Sequence, residues 1–378
     1  MKLALSVAAA LVAAVAFTAS RPEEIPFEKH TLDLGAYETC AIADINRDGK
    51  PDIVSGENWY EGPAWKKHRF RSIEYGRNAT EDLTDLVLDV NGDGYPDIIS
   101  SASHAKKLWW DENPGRGGAW KEHLIQDGYS VEFTFLVDLD NDGRAHEVLP
   151  QFGKPADPLA WYELKNGTFV RHVISDHSYG HGIGVGDLNG DGRNDIITPT
   201  GWLEAPPDPR KAEWKFHPEW DLGKTGYIYV LDVNGDGRKD LVTSMGHDYG
   251  FFWLENMGGG KWLKHMIDDT WSQAHALTMV DLNGDGRPDF ITGKRYMAHN
   301  GSDPGEREPL GIYWYEYFKK PDGGIEWVKH VVDYSTRTGA GMQVAVADLD
   351  GDGDLDFAVG GKTGLFLFEN LTRKTTHR

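Results

Sequence analysis

Cysteine is almost missing from this chain: Cys40 is the single one in 378 residues. A disulfide framework is therefore excluded, and stability must come from a packed core or from bound ions. Basic residues are scarce beside acidic ones, 39 Lys and Arg against 60 Asp and Glu, for a formal charge of -21. A surface of that sign repels phosphate, so nucleic acid is not expected as a partner. After the first twenty residues there is no long apolar run and no long stretch with helical apolar periodicity. No Gly-rich phosphate loop, G-x-S-x-G elbow or H-E-x-x-H pair occurs either. What remains is 39% hydrophobic and 12% aromatic, ample for a core, with 45 Gly that point to many short strands joined by tight turns.

The one apolar run lies at the start. Lys2 precedes the uncharged stretch Leu3 to Phe17, which is followed by the small residues Thr18, Ala19 and Ser20. That order reads as a signal peptide over residues 1–20. The run is shorter than the ~20 residues a membrane span needs. The mature protein is expected to be secreted or periplasmic, with no membrane span after cleavage, a folded domain over 21–370 and a short tail over 371–378.

Internal repetition sets the architecture. The pattern Asp-x-(Asn/Asp)-x-Asp-Gly-x-x-Asp begins at Asp44, Asp89, Asp187, Asp232, Asp281 and Asp348. A seventh copy at Asp138 is one residue longer and ends on Glu147. A spacing of 45 to 49 residues, with one gap of 67, matches one four-stranded propeller blade per repeat. Each repeat carries short apolar runs on both sides of the acidic motif, then an aromatic strand such as Trp109-Trp110. An aromatic-x-x-His pair follows, as in Trp262/His265. A copy of that pair, Phe27/His30, precedes the first motif and none follows the last. The expectation is an all-β, seven-bladed propeller whose N-terminal strand, Phe27 to Leu32, completes the seventh blade and removes the open edges.

The acidic motif suits calcium. Oxygen donors at positions 1, 3 and 5, a Gly at 6 and a closing carboxylate at 9 can wrap a hard cation. The sets are Asp44, Asn46, Asp48, Asp52; Asp89, Asn91, Asp93, Asp97; Asp138, Asp140, Asp142, Glu147; and Asp187, Asn189, Asp191, Asp195. The remaining three are Asp232, Asn234, Asp236, Asp240; Asp281, Asn283, Asp285, Asp289; and Asp348, Asp350, Asp352, Asp356. Up to seven structural calcium ions are implied. The competing reading is a set of Asx-turns that cap strands without any ion.

Copies such as Asp89-Val-Asn-Gly-Asp-Gly-Tyr-Pro-Asp97 resemble the FG-GAP/VCBS repeats of calcium-bound propellers. The repeat specifies a fold and leaves function open. Tyr179-Gly-His-Gly-Ile-Gly-Val-Gly-Asp187, with Gly201-Trp-Leu-Glu-Ala-Pro206 after it, is similar to the propeller part of fungal aldos-2-ulose dehydratases. That resemblance implies elimination of water from keto-sugars with help from metal ions.

Histidine placement supplies the functional signal. Seven of the fifteen His recur once per blade, which marks packing and hydrogen bonding and not one asymmetric site. Of the others, His104, His177, His181, His247, His275 and His299 all fall in connections that emerge on the face opposite the acidic loops. Six residues before the first motif Asp, blades 3, 4 and 6 carry Glu132, His181 and His275. With His247 of blade 5, these are the expected catalytic residues at the channel mouth. They can hold zinc or another divalent ion, act as a metal-free acid–base set, or simply line a wet channel. Tyr179, Tyr227, Trp271, Lys294, Arg295 and His104 are the expected substrate contacts, since aromatics beside charged donors suit a sugar. The extra residues around Lys294 to Leu310 form a polar loop able to cover the mouth. Two functions follow. One is an exported carbohydrate lyase or dehydratase acting on a keto-sugar; the other is a carbohydrate-binding or adhesion propeller without chemistry.

Overall fold

Short runs of β-branched and aromatic residues, cut at every turn by Asp, Asn and Gly, leave the chain little choice but to meander. In the computed structural model, which describes residues 24–76 and 79–373, it folds into seven four-stranded antiparallel sheets and one two-stranded ribbon. The expected signal peptide and residues 374–378 of the tail lie outside the described residues.

Blade 1 consists of Ala41–Ala43, Asp52–Ser55, Asn58–Glu61 and Lys66–Arg69, and blades 2 to 6 repeat the same order. Blade 7 is built from Val344–Ala347, Asp356–Gly361 and Gly364–Asn370, and its fourth strand is Phe27–Asp33 from the other end of the chain. Phe27 pairs with Asn370 and Thr31 with Phe366, so the ring closes as expected. The first strands of neighbouring blades touch one another around the centre. Second strands such as Asp97–Ala102 are buried along their whole length, because sheets cover both faces. Among the described residues, no helix is long and apolar enough to cross a membrane.

The repeat histidines act as clasps between the third and fourth strands. In six blades the ring stacks on a Trp of the third strand, at centroid distances of 3.8 to 4.5 Å. In all seven, Nε2–H donates to a Glu two residues beyond that stacking position, at 2.6 to 3.0 Å. In blade 7 the stacking position is Leu367, and His30 keeps only the bond to Glu369. Glu255 also accepts from Asn234, at position 3 of the acidic loop, at 3.0 Å, so one carboxylate ties the loop to the outer strand. Replacing His265 with Ala removes a stack and a hydrogen bond at a partly exposed edge. Urea unfolding should show a loss of about 1–2 kcal/mol, with the folded fraction otherwise unchanged.

Candidate functional site

The expected cluster assembles. Glu132 sits on the first strand of blade 3, Val131–Val137. His181 and His275 lie in the segments entering blades 4 and 6, and His247 follows the second strand of blade 5. Their ligand atoms all fall within 4.8 Å of one another. The His181 and His247 rings meet edge to face at 4.4 Å, and those of His247 and His275 at 4.8 Å. The Gly-rich run around His181 makes this approach possible. A Cβ on Gly184 would collide with the Ile228 carbonyl, so only glycine lets the strand of blade 4 press against blade 5. His181 is thereby brought to the Thr225 carbonyl.

A carbonyl and a carboxylate behind the rings set their tautomers. His181 Nδ1–H donates to the Thr225 carbonyl at 2.7 Å, and His247 Nδ1–H donates to Asp303 Oδ2 at 2.8 Å. In the neutral rings both Nε2 atoms then carry lone pairs, and these face each other at 2.9 Å. Glu132 Oε2 lies 3.1 Å from His181 Nε2. His275 is wholly buried, and neither of its nitrogens has a hydrogen-bond partner among the described residues. Burial pushes His247 down to about 4, helped by His181, and pushes His275 well below its ordinary value, helped by Arg295. Burial alone would raise the Glu132 carboxyl, but His181 and Arg295 hold it well below the usual carboxylate range. With His181 and His247 neutral, their Nε2 lone pairs and the Glu132 carboxylate converge, an arrangement that suits a cation. Tetrahedral zinc with Zn–N of about 2.0–2.1 Å would place nitrogen ligands roughly 3.3 Å apart, close to the spacing seen. Three imidazoles and a carboxylate, with a carbonyl and a carboxylate behind two of the rings, fit such an ion.

The insertion between Lys294 and Leu310 folds over this centre. Asp303 accepts from both His247 and His299 at 2.8 Å, and the two rings stack at 4.4 Å with only 2° between their planes. Arg295 spans the channel, donating to Glu38 at 2.9 Å and to Glu132 at 3.1 Å. Asp303, Glu38 and Glu81 received no role from sequence, nor did His299 beyond its place on this face. Acidic residues in an acidic chain do not stand out, and their partners are distant in sequence.

Beside the centre lies a cavity of about 360 Å³, whose walls include Glu132, Arg295, His104, His299, Ser103 and Ser302. His104 Nδ1 is held by Glu81 at 2.8 Å. Of the six expected substrate contacts, only Arg295 and His104 reach this cavity. Tyr179 leans on Phe216 and His177, at 4.4 and 4.7 Å. Tyr227 is buried in the core against Phe133 and Phe135, because its inner-strand position points into the packed wall. Trp271 bonds through Nε1 to Tyr315 and faces a different pocket. Lys294 is fully buried and donates to Ser272 Oγ at 2.8 Å; burial pulls it down to about 8.

The acidic loops are ordered by their own backbone. Asp44 accepts from the amides of Asp48 and Gly49, Asn46 from Asp48, and Asp48 from Lys50, at 2.9 to 3.0 Å. Gly49 has φ of 88°, the left-handed conformation that the sixth position requires. In the third loop, carboxylate oxygens of Asp138, Asp140 and Asp142 lie within 4.8 Å of one another. The ninth-position carboxylate has a second task. Asp52 accepts from the amides of Ile45 and Gly62, and Asp97 from those of Val90 and Asn113, all at 2.8 to 2.9 Å. The same clamp recurs at Asp195, Asp240 and Asp356. One lone pair per oxygen remains for a cation. Burial, with added repulsion from loop carboxylates, raises Asp52, Asp97, Asp195, Asp240 and Asp356 to about 6, and Asp289 to about 7. A divalent ion would relieve that repulsion, so the donor set fits calcium.

Residues 89–146 and 232–292 match the FG-GAP-like repeat family. These segments hold the acidic loops of blades 2, 5 and 6 and all of the blade 3 loop but its closing Glu147, within the seven-bladed propeller. No curated protein sequence matches the chain. Among solved structures, it is similar to an Agrocybe aegerita lectin that recognises non-reducing terminal N-acetylglucosamine. The identity is 19%, covering 79% of this chain and 81% of the lectin, with a TM-score of 0.50. It is also similar to BBS1N, solved in complex with ARL6DN, at 10% identity over 92% of this chain and 97% of that one, with a TM-score of 0.57. Likenesses at these identities speak for the fold alone.

Proposed function

We propose that Glu132, His181, His247 and His275 hold one divalent ion of the zinc class, and that the adjoining cavity uses it in lyase or dehydratase chemistry on a keto-sugar. The observation that carries this reading is the opposed pair of Nε2 lone pairs, fixed by Thr225 and Asp303, beside a buried His275 whose ring makes no hydrogen bond among the described residues and lies 3.8 Å from Glu132. The resemblance of Tyr179 to Asp187 to aldos-2-ulose dehydratases points the same way. On residues 1–20 we take the protein to be exported.

When bound, the ion would supply Lewis-acid stabilisation of negative charge developing on a carbonyl oxygen. The proton work falls to this chain's own residues. His104 and His299 both face the cavity, and each has Nδ1 held by a carboxylate, Glu81 or Asp303. That leaves the Nε2 side of each ring for the ligand. In a dehydration, one neutral imidazole takes the proton from the carbon beside the carbonyl. The other, protonated, gives its proton to the departing hydroxyl as the C–O bond breaks, and water leaves. Arg295 anchors Glu132 against the channel wall and keeps the charge of the centre fixed.

Elemental analysis of calcium-saturated protein should find one zinc-class ion per chain. His181→Ala and His275→Asn should lose it. In the same variants, formation of an enone from a 2-keto-sugar, read by ultraviolet absorbance, should fall about a thousandfold. Asn is chosen at position 275 because the site is fully buried and Ala would leave a void. Wild-type protein without the ion and without turnover would overturn this reading in favour of a binding propeller.

A further inference from the structure

A second pocket, of about 570 Å³, opens between the outer strand of blade 5 and blade 6, beside the inserted loop. Trp271 and Tyr313 form its back, with ring centroids 4.9 Å apart, and Tyr334 and Val331 form an exposed lip, 56% and 57% accessible. Lys329 Nζ stands 4.2 Å from the Tyr313 ring centre and 2.8 Å from Asp268, and Glu308 closes the rim. Resting on the reading of the first cavity as a sugar site, we propose that this pocket is a separate saccharide subsite. The ligand is then a neutral glycan chain long enough to occupy both.

Three observations converge. The exposed Tyr334 ring beside a few charged groups matches a pyranose, whose C–H face stacks while its hydroxyls find donors and acceptors; Trp271 and Tyr313, nearly buried, make the floor. Large apolar side chains left exposed in a concave place call for a ligand. The inserted loop is shared: Arg295 and Ser302 wall the first cavity, and Glu308 and Pro309 wall this one. Only the blade 6 repeat is lengthened in this way, so the pocket is not a by-product of the repeat. Charge selects the class of chain. Lys329 is offset by Asp268 and Glu308, and a protein of formal charge -21 disfavours a polyanionic glycan.

The test is affinity electrophoresis, with calcium, of the His181→Ala protein, which lacks the proposed metal site but keeps this pocket. Gels contain starch, hydroxyethylcellulose or galactomannan as neutral probes, and alginate or polygalacturonate as acidic ones. At least one neutral polysaccharide should slow migration. Tyr334→Ala, a change at an exposed position, should weaken that retardation at least fivefold, and Lys329→Met should weaken it too. Absence of retardation in every neutral gel, retardation by acidic chains alone, or full retardation of Tyr334→Ala would each overturn the proposal. Failure of the metal reading would instead appear in the elemental analysis of wild-type protein, which does not involve this pocket.

Discussion

EDTA should lower the midpoint of thermal unfolding on the order of 20 °C or more, and millimolar calcium should restore it. Each of seven loops brings three or four carboxylates together, and an ion that binds only the folded state stabilises it by mass action. At a hundred times its dissociation constant, one site contributes about 2.7 kcal/mol, and seven would contribute about 19. That exceeds the usual 5–15 kcal/mol net stability of a folded protein, so the chelated chain is expected to sit at the edge of unfolding. Full occupancy would add seven double charges and bring -21 to about -7. An unchanged midpoint would count against calcium in these loops.

The pH response separates the two forms. Without ions, burial holds Asp52, Asp97, Asp195, Asp240 and Asp356 at about 6 and Asp289 at about 7, above their unfolded values. A raised folded-state value stabilises at low pH, and that stability is lost as pH rises through it. The chelated protein should therefore melt higher at pH 5.5 than at pH 7.5. His247 and His275, depressed by burial, pull the other way but are outnumbered. With calcium the order should reverse, because the ion needs ionised carboxylates. Differential scanning calorimetry at the two pH values, with and without EDTA, reads both signs.

Removing the N-terminal strand should be as damaging. A chain that starts at Gly35 lacks Phe27–Asp33, which supplies the outer strand of blade 7 and its backbone pairing with Gly364–Asn370. The loss also takes away Phe27, packed edge-on against Phe357 at 5.2 Å, and Lys29, bonded to Asp333 of blade 6 at 2.6 Å. The ring then has an unpaired strand edge, a template for association. The truncated protein should elute as soluble aggregates in size-exclusion chromatography and melt well below the full chain. A monomer of unchanged stability would show that the closure is dispensable.

Fold was legible because its determinants are local and repeated. The spacing of Asp44, Asp89, Asp138 and their later counterparts measures a blade, and the surplus Phe27/His30 pair before the first motif shows how the ring closes. The convergence of Glu132, His181 and His275 was legible for the same reason: equal positions in equal blades point to the same place. His247 could be added because its connection emerges on that face. The acidic loops could be read as cation sites, but not the backbone clamp made by their ninth carboxylate. That clamp joins the loop to the end of the third strand, whose distance in space no spacing reveals.

The substrate residues were less legible. Tyr179 and Lys294 lie in irregular connections, where sequence cannot say which way a side chain turns, and Tyr227 and Trp271 lie in strands that run further than their apolar runs suggest. Packing turned Tyr227 into the core and buried Lys294 against Ser272. Sequence by itself therefore determined the number of blades, their closure and the ring positions of Glu132, His181 and His275, since each follows from a period that comparison of the copies shows. Tertiary structure alone decided the tautomers of His181 and His247, through Thr225 and Asp303. It alone brought His299 over His247 and placed a second pocket beside the inserted loop. Those contacts join residues 44 to 66 positions apart or belong to a single unrepeated loop, and no periodicity encodes them.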